Sequence, residues 1–121
     1  GRPRRCGWID IPALKYACML NGVTDLFVTK IDVLNEFDEV KVCEKYTIDG
    51  KASEEIPFEF NSVEIVPRHL PFPDIPTSNL THQRLFCNEN LQSYLKTLEN
   101  LIGVPVKAIS ISPDRKDVLF R

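Results

Sequence analysis

The chain has 121 residues, a length that suits one domain, and combines 43% apolar with 26% charged residues at a net charge of −2. That balance allows a packed core and excludes a global field drawing the chain to nucleic acid or to an anionic membrane. No apolar run approaches the ~20 residues of a membrane span, so neither nucleic acid nor membrane is expected as a partner.

Residues 1–7 read as a Gly/Pro/Arg loop carrying Arg2, Arg4 and Arg5. Residues 10–20 predict a helix with Asp10 as N-cap, Pro12 in the first turn and Leu14, Ala17 and Cys18 on one apolar face. Asn21-Gly22 is its expected left-handed stop. Residues 25–30 form a short apolar run of β-formers, expected to be a parallel strand buried on both faces. Helix and strand together resemble half of a βαβ unit whose first strand lies upstream. Residues 38–48 alternate Val40 and Val42 against Lys41, Cys43 and Lys45, the pattern of a half-buried strand. Asp49-Gly50 is a turn signal, and 56–66 is expected to return as one or two strands of a small antiparallel unit. Four prolines in 67–79 predict an irregular excursion. Residues 88–102 predict a helix buried along Leu91, Tyr94, Leu95, Leu98, Leu101 and Ile102, capped by Asn88 or Asn90 and ended by Gly103. Residues 104–111 predict a final apolar strand.

The expected class is therefore α/β, a mixed sheet flanked by helices with a small antiparallel β unit. The chain divides into a loop (1–7), a helix–strand–strand unit (8–48), an irregular or β excursion (49–87) and a helix–strand unit (88–121). Each helix–strand unit delivers a polar loop at the C-terminal end of its strand, the edge where open α/β sheets bind ligands. These loops are Thr29-Lys30-Ile31-Asp32 and Ser110 to Arg115.

The first loop has the form of a guanine reader. A carboxylate has two acceptor oxygens and no donor, and guanine offers N1–H and the N2 amine side by side. Asp32 would pair with both, at roughly 1.5–3 kcal/mol for charge-assisted bonds, and the alkyl stem of Lys30 would lie across the ring. Taken alone, the tetrapeptide is equally a strand followed by a solvated lysine and a helix-capping Asp32. The arginines of residues 1–5 suit bidentate grip on carboxylate or phosphate, and equally plain solvated charge. Ser110 to Arg115 allows backbone amides to approach a ligand, and equally forms an ordinary Ser-Pro turn.

Other signals are weaker. Cys6, Cys18, Cys43 and Cys87 contain no C-x-x-C pair. They are read as reduced and mostly buried, in a cytoplasmic protein. His69 and His82 are read as solvated loop histidines, and Asn79-Leu80-Thr81 as a sequon without consequence. The sequence has no G-x-x-x-x-G-K-[ST] phosphate loop, no signal-peptide pattern and no initiator Met, so a piece of something longer is expected.

Together these segments resemble one family. Gly1-Arg2-Pro3-Arg4-Arg5-Cys6-Gly7-Trp8-Ile9-Asp10 resembles the G-R-P-R-R-x-G-W-x-D signature of adenylosuccinate synthetase. Thr29 to Leu34 resembles its T-K-L-D-V-L, Asp38 to Cys43 its x-E-V-K-V-C, Gly103 to Val106 its G-V-P-V, and Ser110 to Arg115 its S-x-G-P-D-R. Residues 47–90 fit poorly, with Leu70-Pro71-Phe72-Pro73 at the place of an L-P-G-W, and Ser112 stands where the family has Gly.

The resemblance implies the C-terminal portion of a GTP-driven ligase that joins IMP to L-aspartate in AMP synthesis. The family is thought to phosphorylate the base oxygen of IMP before the aspartate amine displaces the phosphate. Gly1, Arg2, Pro3 and Arg4 would belong to the aspartate and IMP loop, with Arg4 reaching toward GTP. Lys30, Ile31 and Asp32 would read guanine, and Ser110, Ile111 and Ser112 would offer it backbone contacts. The phosphate loop, the catalytic Asp and His and the Mg²⁺ ligands would lie on a part this chain lacks. No catalytic residue and no metal ligand is thus assigned here, the fragment is expected not to turn over alone, and the intact protein is expected to be a homodimer. Two other readings stay open: a guanine-nucleotide-binding module without ligase activity, and an RNA-contacting or interaction domain using Arg2, Arg4 and Arg5.

Overall fold

A computed structural model describes residues 2, 3, 5–70, 73 and 87–121. Gly1, Arg4, Pro71, Phe72, His82, the 79–81 sequon and most of the proline-rich excursion lie outside the described residues.

Two sheets share one core. The first is built on β3 (Val40–Ile48). Along one edge β3 pairs with β5 (Val63–Leu70), antiparallel. Along the other it pairs with the two-residue β1 (Ile9–Asp10), parallel, and then with β4 (Lys51–Ser53), antiparallel. The second sheet has the order β2 (Leu26–Val28), β6 (Val106–Ser110), β7 (Val118–Phe120), with β2 and β6 parallel. Helix α1 (Ile11–Asn21) links β1 to β2, and α2 (Glu89–Ile102) leads into β6. The core draws Ile11 and Cys18 from α1, Val40 and Val42 from β3, the Leu91–Ile102 stripe of α2, Ile109 from β6 and Leu119 from β7. The α/β class, the mixed strand directions and the small antiparallel unit all agree with the sequence expectation.

Local chemistry explains each boundary. Asp10 caps α1 through Oδ1, which accepts from the Ala13 amide at 2.9 Å. Its Oδ2 accepts from the Tyr46 hydroxyl at 2.6 Å. One carboxylate therefore fixes the start of α1 to the middle of β3. Gly22 at φ 59° and Gly103 at φ 83° end the two helices in the left-handed region. Asn88 caps α2 by accepting from the Leu91 amide at 3.0 Å. Asp49 and Gly50 both have positive φ, as the two-residue hairpin between β3 and β4 demands.

Several expectations are corrected. The buried line of α1 is Ile11, Leu14 and Cys18, at i, i+3 and i+7, which turns Ala17 out to solvent. Strand β2 is parallel but is not buried on both faces. Core packs on one side of its sheet, where Val28, Ile109 and Leu119 align, while on the other Phe27 and Phe120 flank Ala108, and Phe27 is 52% exposed. The strand preceding α1 is β1, which joins the sheet of β3 and not that of β2. The antiparallel return is split: β4 follows the turn at once, 54–62 is loop with Phe58 fully exposed, and the long strand is 63–70 instead of 56–66. It runs through Pro67, where an irregular excursion was expected. The tolerance is positional. Strand β5 is an edge strand, and Pro67 lies at a bulge where the register slips between Cys43 and Lys45, so the missing N–H removes no ladder bond there. Cys43, grouped by alternation with the outward lysines, is buried, as is Cys18, while Cys6 and Cys87 are exposed. All four are free thiols.

The last strand is clasped to α2. Glu99 Oε1 accepts from the Val106 amide at 2.7 Å and from Arg121 Nη1 at 2.6 Å. Arg121 also donates to the Gln92 side chain at 3.2 Å. Glu99→Ala leaves the part-buried Val106 amide without its acceptor and takes one of three acceptors from Arg121, and a loss of about 1–3 kcal/mol is expected, read as a lower urea midpoint at unchanged slope.

Two buried tyrosines set the alkaline limit. Burial, then the bond to Asp10, pushes the Tyr46 hydroxyl well up, and burial raises Tyr94 from 10.0 to about 12. Above pH 10 the unfolded chain loses these protons while the native chain keeps them, so the native state binds more protons and stability falls as pH rises. Between pH 10 and about 12 each tyrosine contributes a slope near −1.4 kcal/mol per pH unit. Tyr94→Phe is expected to shed its share, and a denaturation series over this window that is equally steep in the variant refutes the assignment.

Candidate functional site

Strands β2 and β6 are parallel neighbours, with Val28 opposite Ile109. Their C-terminal ends therefore lie side by side, and the two loops singled out in the sequence meet. The joint is a specific hydrogen bond: the Lys30 amide donates to Ser110 Oγ at 3.0 Å, across 80 residues of sequence. Ser110 is the one buried polar residue of the described core, at 7% exposure, and this bond supplies it with a partner.

Lys30 sits at φ 58°, ψ 41°, left-handed backbone that a residue with a Cβ adopts at a cost of order 1–3 kcal/mol. The surroundings hold it there. Ile31 enters the core at 1% exposure and starts a 3-10 turn over Ile31–Glu36, while the Lys30 amide is tied to Ser110. This turns the Lys30 side chain out to solvent, Ile31 inward, and leaves Asp32 part-buried. Asp32 Oδ1 is fully occluded and accepts no hydrogen bond among the described residues. A buried carboxylate oxygen without a donor costs free energy.

The second loop is well ordered by its own bonds. Ile111 is buried at 4% exposure, and its amide donates to the Asp117 carbonyl at 3.2 Å. Ser112 Oγ donates to Asp117 Oδ2 at 2.5 Å and accepts from the Asp114 amide at 2.9 Å. Ser112 is not among the residues with positive φ, so a side chain is accommodated at this position without left-handed strain. Asp117 drew no attention in the sequence. The only signal was the Ser-Pro-Asp turn pattern at 112–114, which fixes the hydroxyl but does not point five residues on.

The segment that follows the arginines reaches the Lys30 loop across a cavity. Arg2, Pro3 and Arg5 are exposed, and Gly1 and Arg4 lie outside the described residues. Downstream of them, Cys6 to Ile9 faces the 3-10 turn across a cavity of about 420 Å³. Trp8, Lys30, Val33, Phe37 and Tyr94 stand on its walls, and the Trp8 and Phe37 rings meet edge-on with centroids 5.1 Å apart. Lys30 thus borders both this cavity and the 110–112 loop. Asp10, the last residue of the arginine-rich signature, is occupied structurally by its bonds to Ala13 and Tyr46.

Among the described residues no group of three His, Cys, Asp or Glu side chains is arranged to hold a metal ion, and no helix is long and apolar enough to cross a membrane. Burial, then the nearby Asp10 carboxylate, raises the Cys43 thiol, which favours its neutral form.

Comparison with known proteins places this geometry. A family profile described as adenylosuccinate synthetase matches residues 1–119. Adenylosuccinate synthetase of Schizosaccharomyces pombe is 40% identical over the whole of this chain, and that of Parabacteroides distasonis is 42% identical. The chain spans 28% and 29% of the length of those two proteins. Among solved structures, fully ligated adenylosuccinate synthetase from Plasmodium falciparum superposes with a TM-score of 0.82 at 30% identity, covering 99% of this chain and 30% of that one. The profile runs from the arginine-rich segment through both polar loops to within two residues of Arg121, and the chain belongs to the adenylosuccinate synthetase family.

Proposed function

We propose that this chain carries the guanine-reading edge of a GTP-dependent ligase that joins IMP to L-aspartate. The observation that carries the reading is the meeting of the two loops, where a left-handed Lys30 beside the part-buried Asp32 is bonded to Ser110. The N1–H and N2 amine of guanine are the donors a carboxylate accepts, and adenine presents a bare acceptor at N1 in their place. Lys30 covers the ring with its alkyl stem, and the backbone of Ser110, Ile111 and Ser112 completes the contact. Ile31 and Ile111, both buried, anchor the two loops from below.

Gly1, Arg2, Pro3 and Arg4 form the L-aspartate loop, in which Arg2 also contacts IMP and Arg4 reaches toward GTP, because a guanidinium fork matches carboxylate and phosphate oxygens. When bound, Mg²⁺ would supply charge neutralisation at the transferring phosphoryl group, and this reading expects its ligands on polypeptide outside this chain. This chain's own part is binding and orientation. Because it spans under a third of its relatives, the reading gives it nucleotide recognition without turnover, in a cytoplasmic parent that is a homodimer.

Two substitutions test the reading. In Asp32→Asn the amide offers a donor where the carboxylate offered an acceptor, so preference should pass from guanosine to xanthosine diphosphate by about tenfold or more. Calorimetric titration of the chain with both nucleotides decides it, and an unaltered preference refutes guanine reading by Asp32. Arg2→Leu should leave guanosine diphosphate affinity within about twofold, because the base and its loop lie elsewhere. A large loss of nucleotide affinity in that variant removes Arg2 from the aspartate and IMP role.

A further inference from the structure

Ser112 stands where the family pattern has glycine, and its hydroxyl is not idle. It accepts from the Asp114 amide at 2.9 Å and donates to Asp117 Oδ2 at 2.5 Å. Asp117 closes the same loop through its main chain: its carbonyl accepts from the Ile111 amide at 3.2 Å, and its own amide donates to the Asp114 carbonyl at 3.1 Å. Asp114 in turn accepts from the Lys116 amide at 3.0 Å through its side chain. Residues 111–117 connect β6 to β7, whose pairing sets Ser110 opposite Val118. The loop is therefore held at both ends by the hairpin and across its middle by one hydroxyl–carboxylate bond. The residue before it is Ser110, the last of β6, whose Oγ accepts from the Lys30 amide.

We propose that Asp117 is a positioning residue: through the Ser112 hydroxyl it latches the end of β6 in the place where Ser110 meets Lys30, and so sets the geometry of the nucleotide edge. A glycine at 112 has no side chain with which to make this bond, so in this chain a side-chain latch does what a glycine loop must do with backbone alone. A charge-assisted O–H to carboxylate bond is roughly twice as strong as a neutral one, and it lies two residues from the only described bond that joins the two loops directly. The inference rests on the reading above for its effect on guanine but not for its effect on Lys30.

The test uses the whole chain and two readouts. Amide hydrogen exchange at Lys30 reports the Ser110 contact in the free protein, with Leu95 and Ile109 as core references. In Ser112→Ala and in Asp117→Ala, exchange at Lys30 should speed by about threefold to tenfold beyond any change at the references. The double variant should do no more than Ser112→Ala, which removes the bond to Asp117 together with the acceptor of the Asp114 amide. Asp117→Asn keeps an accepting oxygen and should recover most of the protection. Guanosine diphosphate affinity should fall by a similar factor in the two alanine variants. Unchanged exchange at Lys30, additive effects in the double variant, or a rise only in step with Leu95 and Ile109 overturns the latch. If exchange responds as expected while the unsubstituted chain binds no guanosine diphosphate, the latch stands and guanine recognition falls.

Discussion

Everything at the candidate site depends on the parallel pairing of β2 with β6. Parallel neighbours end on the same side, so pairing alone brings residues 29–32 beside residues 110–112. No hairpin could do this, since antiparallel neighbours end on opposite sides. The two helices serve that constraint. Helix α1 carries the chain from the sheet of β3 to β2, and α2 returns it to β6, each stopped by a left-handed glycine within a few residues of the next strand. The first sheet contributes the floor: Val40 and Val42 of β3 share a core with Ile31, the residue between Lys30 and Asp32.

Much of this was legible in the sequence because the signals were local. The stripe of α2, both glycine stops, the Asp10 and Asn88 caps and the Asp49-Gly50 hairpin follow from spacing and turn chemistry. The failures were equally physical. A proline was taken to end a strand, but Pro67 lies on an edge and at a bulge, where its lack of a donor costs nothing. Phe58 and Phe60 alternate as strand residues do, yet they sit in a loop, because alternation does not specify a partner strand. Phe27 looked buried on both faces because its run is apolar, but burial depends on what covers each face, which periodicity does not contain.

The site was legible as residue types and not as geometry. That Lys30 and Asp32 belong to one loop is visible in the sequence; that Lys30 is left-handed and its amide tied to Ser110 is not. In the sequence, Ser112 stood out only as a departure from the family's glycine. The structure shows a serine without positive φ whose hydroxyl joins two parts of one loop. Asp117 escaped notice because its partner is chosen by the path of the loop. The signature residue Asp10 is held by a helix cap and a tyrosine, so membership of a long motif does not by itself make a residue a ligand contact.

The 80 residues between Lys30 and Ser110 also order events in time. Closing so long a loop is entropically costly until other contacts reward it. The hairpin of β3 with β4, and its pairing with β5, need only nearby sequence and can form while residues past 100 are still being synthesised. The junction of residues 29–32 with residues 110–112 cannot. The bond between Lys30 and Ser110 needs β6 in place, so residues 29–32 join residues 110–112 later than β3 can meet its neighbours in sequence.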